Sequence, residues 1–444
     1  MVVLVAKLAR SLMLLFGLWQ TQTYSARIYQ DDSYWKGNSI LSNTNSSTNQ
    51  PRLLSFTLDG WSVLGGRVTV SLHDGVAVLV GRNGAGKSAI LEGFESIALC
   101  AIGRLNQFRR NDSDGIPKIL RIEILTPTNR LLEYKYELIT MSTSEEDSDM
   151  DDSTNINSEE SQFSWNDCCH YLDGQKEVLW HTKNGTISFS TEDDKPTTIL
   201  SNISSFGRYF PDNSLRRFPV DGMQWIYTIL KRARILGKPS IIKRYKRRES
   251  LLTWSRKRIS SSLDLADRLS QRIFRLFDAG ELDELKTVCH RVGLGENITV
   301  RKFFPNREES EAEEYIFSVE LDGVNIGLLS DGTIRVLSIL IEIIASNHDE
   351  IIIIEEPEIH IHPAMLARLL NEIESYTYGG NLILSTHSPQ VVSWTSPEKI
   401  NLVHRKNGQT FVHKLGEVQI HNVIEYLSEE GDLGEWIYSG IFDE

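Results

Sequence analysis

Val76-Ala-Val-Leu-Val80 runs without a break into Gly81-Arg82-Asn83-Gly84-Ala85-Gly86-Lys87-Ser88. An unbroken apolar run ending in glycine is how a strand buried on both faces reads. The loop after it has the spacing G-x-x-x-x-G-K-S. Glycines let successive backbone N–H groups turn inward into an anion nest, and a helix predicted from Lys87 adds the positive end of its dipole. In that pattern Lys87 reaches the β- and γ-phosphates of ATP, and the Ser88 hydroxyl binds Mg²⁺. A Gly-rich surface turn is the plainer reading; the strand before the loop and the helix after it weigh against it.

Outward from the loop, short strands are expected at 53–58 and 67–72 before it, and a hairpin at 118–124 and 131–138 after it. Three further motifs follow. Ile351-Ile-Ile-Ile-Glu355-Glu356-Pro357 is an apolar strand ending in two carboxylates. Nucleotides bind beyond the carboxyl ends of parallel strands, so Glu355 is placed to hold Mg²⁺ and Glu356 to orient or deprotonate an attacking water. Leu384-Ser-Thr-His387-Ser-Pro389 ends another buried strand, and His387 there can hydrogen-bond a γ-phosphate oxygen. Leu329-Ser330-Asp331-Gly332-Thr333-Ile334-Arg335 leads into an apolar helix. Ser330 reads equally well as an ordinary N-cap or as a second phosphate-binding helix terminus.

Taken in order, these four motifs resemble the soluble ABC-type ATPases. That group includes the chromosome-maintenance and DNA-repair ATPases and, more closely, the overcoming-lysogenization-defect-like AAA ATPases of bacteria. The resemblance covers roughly 53–140 and 300–425. It implies an α/β P-loop fold of ABC type: a mostly parallel central sheet, an antiparallel β part and an inserted, mostly helical arm or lever. It implies an ATP-dependent homodimer that sandwiches two ATP molecules, each between the loop of one subunit and Ser330 and Gly332 of the other. Glu355 and Glu356 become the metal and base carboxylates, His387 the switch histidine, and 357–362 part of the subunit interface. Asp331 stands where transporter-type signatures carry glycine, and Glu355 where many relatives carry aspartate. The Mg²⁺-sensing glutamine has no clear counterpart; Gln107 is the nearest candidate.

On this reading the 444 residues divide into an extension at 1–51, a first head part at 52–140, an acidic linker at 141–162, an inserted region at 163–299 and a second head part at 300–444. The linker is almost all Ser, Asp, Glu, Asn and Thr and cannot bury a core. The extension opens like a signal peptide, with Lys7 and Arg10 before an apolar run too short to span a bilayer. An upstream extension without structural importance, a surface-lying amphipathic helix and a true signal remain open for it.

Composition, 40% hydrophobic and 24% charged, is that of a globular protein and excludes an integral membrane protein with many spans. The net charge of −13 gives no global case for nucleic acid. The local exception is a basic stretch at 231–258, from Lys231, Arg232 and Arg234 to Arg258. DNA contact, a solvated helix face and a docking surface for an acidic partner are its three readings. Cys100, Cys168, Cys169 and Cys289 suit reduced thiols and a cytoplasmic setting; Cys168-Cys169-His170 alone is weak evidence for zinc. The roughly 55 residues after the His387 motif leave no room for a nuclease domain and are expected to cap the head, so an effector would be a separate protein.

Two functions fit: an ATPase driving a DNA-related or anti-phage defence task, or an ATP-gated scaffold for a partner effector with incidental hydrolysis. A transporter subunit fits poorly, given the long insertion and acidic linker, and so does a P-loop kinase.

Overall fold

A computed structural model describes residues 50–103, 115–140, 163–173, 177–183, 186–189, 197–198, 206, 221–237, 250–255, 265–303, 314–346, 350–428, 434 and 437. The extension at 1–49, the acidic linker, Gln107 and the basic stretch beyond 237 up to 249 and from 256 lie outside them.

The first part of the chain forms β1 (Arg52–Asp59), β2 (Val68–Ser71), β3 (Val76–Val80), α1 (Lys87–Ala101), β4 (Ile119–Leu125) and β5 (Leu131–Thr140). The middle forms β6 (Phe163–Tyr171), β7 (Val178–Lys183), β8 (Thr186–Phe189), β9 (Thr197–Thr198), α2 (Asp221–Leu230), β10 (Ile235–Leu236), β11 (Leu252–Ser255), α3 (Leu265–Ala279) and α4 (Leu282–Val292). Then come β12 (Ile298–Phe303), β13 (Glu314–Leu321), β14 (Val324–Asn325), α5 (Asp331–Ile344), β15 (Ile351–Glu355), α6 (Pro363–Thr377) and β16 (Asn381–Thr386). The chain continues with α7 (Pro389–Trp394), β17 (Ile400–Lys406), β18 (Gln409–Lys414) and α8 (Glu417–Ser428).

The central sheet has the order β10-β15-β16-β3-β17-β18. All its pairs are parallel except the hairpin β17–β18. Its inner strands are apolar on both faces because both faces are covered. Ala77, Leu79, Ile353 and Ile383 enter one core together with α1 and the antiparallel sheet, while Val78, Val80, Ile352, Ile354, Leu382 and Leu384 enter a second core with α3 to α6.

The antiparallel sheet has the order β2-β1-β4-β5-β6-β7-β8-β9. It needs only one buried face, and β4 shows why: Leu120, Ile122 and Ile124 are buried, whereas Arg121 pairs with Glu133 at 2.9 Å and Glu123 accepts from Ser55 at 3.0 Å. Helix α1 lies against this core, where Phe94 meets Phe56 at 4.4 Å between ring centroids. Truncating Phe94 there would cost about 3–5 kcal/mol.

The described residues between 163 and 299 are woven into the head. Strands β6 to β9 extend the antiparallel sheet, β10 pairs with β15 at the edge of the central sheet, and β11 pairs with β13. Helix, which the pattern predicts from 221 to 291, gives way to the short strands β10 and β11 after α2. Edge pairing wins there over periodicity, since Ile235 and Leu236 lie in register with Ile353 and Ile354. No described helix is long and apolar enough to cross a membrane.

Candidate functional site

Strands β3, β15 and β16 run parallel and end together, so the loops after Val80, Glu355 and Thr386 meet at one edge of the sheet. That edge is where doubly wound sheets bind nucleotides. The loop 81–88 folds back over β17 and β18. At Gly86, where φ is +108°, a side-chain Cβ would sit 2.5 Å from Thr410 Oγ1, so only glycine fits. A Cβ at Gly81 would stand 2.2 Å from the Val403 carbonyl oxygen. Ala85 is buried, while Arg82, Asn83, Gly84 and Ser88 stay exposed. The loop therefore presents its backbone outward as a cradle.

Lys87 opens α1 and is almost fully buried. Its ammonium donates to the carbonyls of Gly81 at 2.6 Å and Arg82 at 3.2 Å. Burial pushes its pKa down, and the charges of Glu356, Glu358 and Glu355 pull it back up. The lysine and the carboxylates are thus near enough to act on one ligand.

Glu355 is opposite Ser385 in the β15–β16 register, and Ser385 is opposite Leu79, so both belong to the sheet face that packs on α1. Glu356 leaves the strand. Its N–H still donates to the Ser385 carbonyl at 2.8 Å, but its φ of +43° is left-handed, an uncommon state for a non-glycine residue that turns the carboxylate out of the sheet. His387 Nδ1 lies 3.3 Å from Glu356 Oε1 and 3.5 Å from Glu358 Oε1 without a hydrogen bond to either.

Two residues that motif reading passed over organise this edge. Glu358 Oε1 accepts from Thr386 Oγ1 at 2.8 Å and from the His387 N–H at 3.0 Å, which fixes where the histidine leaves β16. Arg335, fully buried on α5, donates through Nη2 to the carbonyls of Glu355 and Glu356. Burial lowers its pKa, opposed by Glu358, Glu355 and Glu356. The signal for Arg335 was an arginine one turn into an apolar helix, at a position where Val or Ile would otherwise belong.

Ser330 and Gly332 sit at the start of α5. Ser330 caps it, accepting from the Thr333 N–H at 3.1 Å and pairing with Thr333 Oγ1 at 2.7 Å. Gly332 is glycine for a local reason as well: a Cβ there would stand 2.1 Å from the His360 carbonyl oxygen. Within one chain, then, Gly81 to Ser88, Glu355, Glu356 and His387 converge, whereas the Ser330 hydroxyl is engaged with its own helix. Arg335 joins the two groups.

The donor set fits Mg²⁺. A hydroxyl and a carboxylate, such as Ser88 and Glu355 offer, suit an ion that takes few protein ligands when phosphates and water complete its shell. No group of three or more His, Cys, Asp or Glu among the described residues is arranged to hold a metal by itself. Ser385 Oγ and Glu358 Oε2 are buried and lack hydrogen-bond partners among the described residues, which marks polar space at the same edge. Cys169 is buried with its thiol pKa pushed up, and His170 faces Glu133 at 3.6 Å instead of joining a metal cluster.

Residues 200–393 match the family model described as "AAA domain, putative AbiEii toxin, Type IV TA system". No curated protein matches the chain. Among solved structures, the SMC head bound to the C-terminal winged-helix domain of ScpA is 13% identical over 83% of this chain and 99% of that one, with a TM-score of 0.40. The Pyrococcus furiosus Smc head with an extended coiled coil, bound to the C-terminal domain of ScpA, is 14% identical over 85% and 100%, with a TM-score of 0.39. The Thermotoga maritima SMC head is 13% identical over 82% and 99%, with a TM-score of 0.33. At such scores the likeness carries no argument. The P-loop nucleotide-binding fold rests on the strand order, the Gly-rich loop and the matched AAA domain.

Proposed function

We propose that this chain binds Mg-ATP on the 81–88 loop and hydrolyses it. The observation that carries this reading is the convergence of Lys87, Glu355, Glu356 and His387 at the carboxyl edge of one parallel sheet. On binding, the Lys87 ammonium leaves the Gly81 and Arg82 carbonyls for the β- and γ-phosphate oxygens, and the backbone N–H groups of the loop take the remaining charge. Ser88 and Glu355 would hold Mg²⁺, which when bound would neutralise phosphate charge. Glu356 orients a water, and its carboxylate accepts the proton as the water oxygen bonds to the γ-phosphorus and the bond to the β-bridging oxygen breaks. His387 hydrogen-bonds a γ-phosphate oxygen. ADP and phosphate leave.

The site is completed by a second copy, whose Ser330 and Gly332 close over the γ-phosphate. Arg335 supports this arrangement, because it lets closure at the α5 terminus reach the Glu355 and Glu356 backbone in the same chain. The matched family's description, which names an AbiEii toxin, supports a defence-related task. A second reading, an ATP-gated scaffold for a partner effector, draws on the same Arg335 link, since it would turn nucleotide occupancy into movement of α5.

Phosphate release tests the chemistry. Glu356→Gln should retain ATP binding and lose turnover by 100-fold or more, on the order of a general base's contribution; Lys87→Ala should lose binding. Wild-type turnover in Glu356→Gln would overturn the base assignment. Slow wild-type turnover with intact ATP binding would favour the scaffold.

A further inference from the structure

The β17–β18 hairpin on which the Gly-rich loop rests has a second face. Side chains alternate along its strands, so Val403 and Thr410 lie on one face and His404, Lys406, Phe411 and His413 on the other. The first pair meets the Gly-rich loop. On the second face His404 stands between Phe411 and His413, with ring centroids 5.3 and 4.9 Å away, while Phe411 and His413 are 6.5 Å apart. All three planes lie within 15° of parallel. His404 and His413 are exposed and Phe411 is half-buried. Among the described residues no other ring and no cation packs on this trio.

The charge around the rings is one-sided. From His404 to Lys414 the chain has three cations, two histidines and no acid, although the whole chain carries −13. Arg405, Lys406 and Lys414 are exposed. Arg405 donates to the Gly408 carbonyl at 3.0 Å, and none of the three cations forms an ion pair among the described residues. Burial, then the charges of His413 and Lys406, lower the His404 pKa, so at neutral pH an uncharged ring stands beside a free cation.

We propose that this hairpin binds single-stranded nucleic acid, with an unpaired base stacked on an outer ring of the trio and phosphates on Arg405, Lys406 and Lys414. Every base has a π-face, so a stack of exposed rings extends onto a base of any sequence. A duplex has its bases already stacked and gains only the phosphate contacts. The base of an ATP seated on the same chain's loop does not compete, because the loop rests on the opposite face of the hairpin. Cross-strand ring pairs also stabilise hairpins, and lysines protect an edge strand such as β18. Those roles require neither parallel rings left uncovered nor cations without acids. The proposal stands whether or not the Gly-rich loop hydrolyses ATP.

The test is fluorescence anisotropy of a labelled oligothymidine of about 15 nucleotides, titrated with the full chain at low salt. An abasic strand and a duplex of the same length serve as competitors, and both are expected to bind about tenfold more weakly. Phe411→Leu and His413→Ser should each weaken oligothymidine about tenfold, the size of one lost base–ring stack, and leave the abasic strand unchanged. A strand touching all three cations should show a slope of about −2 in log affinity against log salt, and Lys406→Gln should reduce it by about 0.7. Urea melts check that each variant folds; should Phe411→Leu unfold, the exposed His413→Ser decides. No binding, an abasic strand or duplex bound as tightly as oligothymidine, or affinity unchanged by both ring substitutions overturns the proposal and leaves the trio as hairpin packing.

Discussion

Replacing Glu358 with alanine should cripple turnover while leaving ATP affinity nearly intact. Among the described residues Glu358 hydrogen-bonds to Thr386 and His387 and to nothing in the Gly-rich loop, although its charge acts on Lys87. Its Oε1 holds Thr386 Oγ1 at 2.8 Å and the His387 N–H at 3.0 Å, and the side chain is only 12% exposed. Hydrogen bonds to a charged acceptor contribute about 1.5–3 kcal/mol each, so the pair holds the His387 turn with about 3–6 kcal/mol. Water entering the vacated space offsets part of this, which favours the lower figure. If about 3 kcal/mol of positioning is missing in the transition state, kcat falls roughly 100-fold. Glu358→Gln separates position from charge. Its amide oxygen still accepts from Thr386 and the His387 N–H, and kcat should stay within about fivefold, a loss near 1 kcal/mol. The assay is steady-state phosphate release with kcat and KM fitted separately, and a urea melt of each variant. A Glu358→Ala chain with wild-type kcat would refute the reasoning. So would a glutamine variant as damaged as the alanine variant, because the charge and not the geometry would then matter.

Other substitutions probe neighbouring contacts. Gly86→Ala must adopt a φ of +108° and meet Thr410 Oγ1 at 2.5 Å, so a urea melt should show a loss of about 2–5 kcal/mol, and Thr410→Gly should recover the steric part but not the backbone part. Gly332→Ala collides with the His360 carbonyl and should cost about 1–3 kcal/mol in the same assay, together with ATP-dependent assembly. Ser330→Ala removes a helix cap worth about 1 kcal/mol. If Ser330 also closes the partner's site, turnover should drop more than tenfold in a chain that still folds; turnover that merely follows stability would leave it as a cap.

The nucleotide edge was readable from sequence because each of its parts has a local signature. The apolar runs of β3, β15 and β16 announce strands covered on both faces, and the polar residues that end them meet at one edge of the sheet. What escaped has no such signature. Glu358 lies in the 357–362 segment expected at the subunit interface, and what the motif does not reveal is that it accepts hydrogen bonds from Thr386 and His387, 28 and 29 residues away. Arg335 was quoted as the end of a motif, and nothing in a lone arginine says that it donates to two strand-end carbonyls. Strands β17 and β18 fall in the stretch expected to cap the head, and Asn407-Gly408 within it is the strongest short hairpin signal. Asn407 and Gly408 both have positive φ, as the two-residue turn requires. That hairpin supplies Val403 and Thr410, the surfaces on which the Gly-rich loop rests. The inserted segment was harder still: the two-residue strand β10 is defined by its partner β15, which no local pattern reveals.

Whether ATP joins two copies is measured most directly by size-exclusion chromatography with light scattering on the Glu356→Gln chain. Without nucleotide the mass should be that of one chain, 50.5 kDa. With ATP and Mg²⁺ it should double, and adding Lys87→Ala or Ser330→Arg should return it to one chain. A mass that ATP does not change, in a variant shown to bind ATP, would contradict the composite site and leave the Gly-rich loop serving a single subunit.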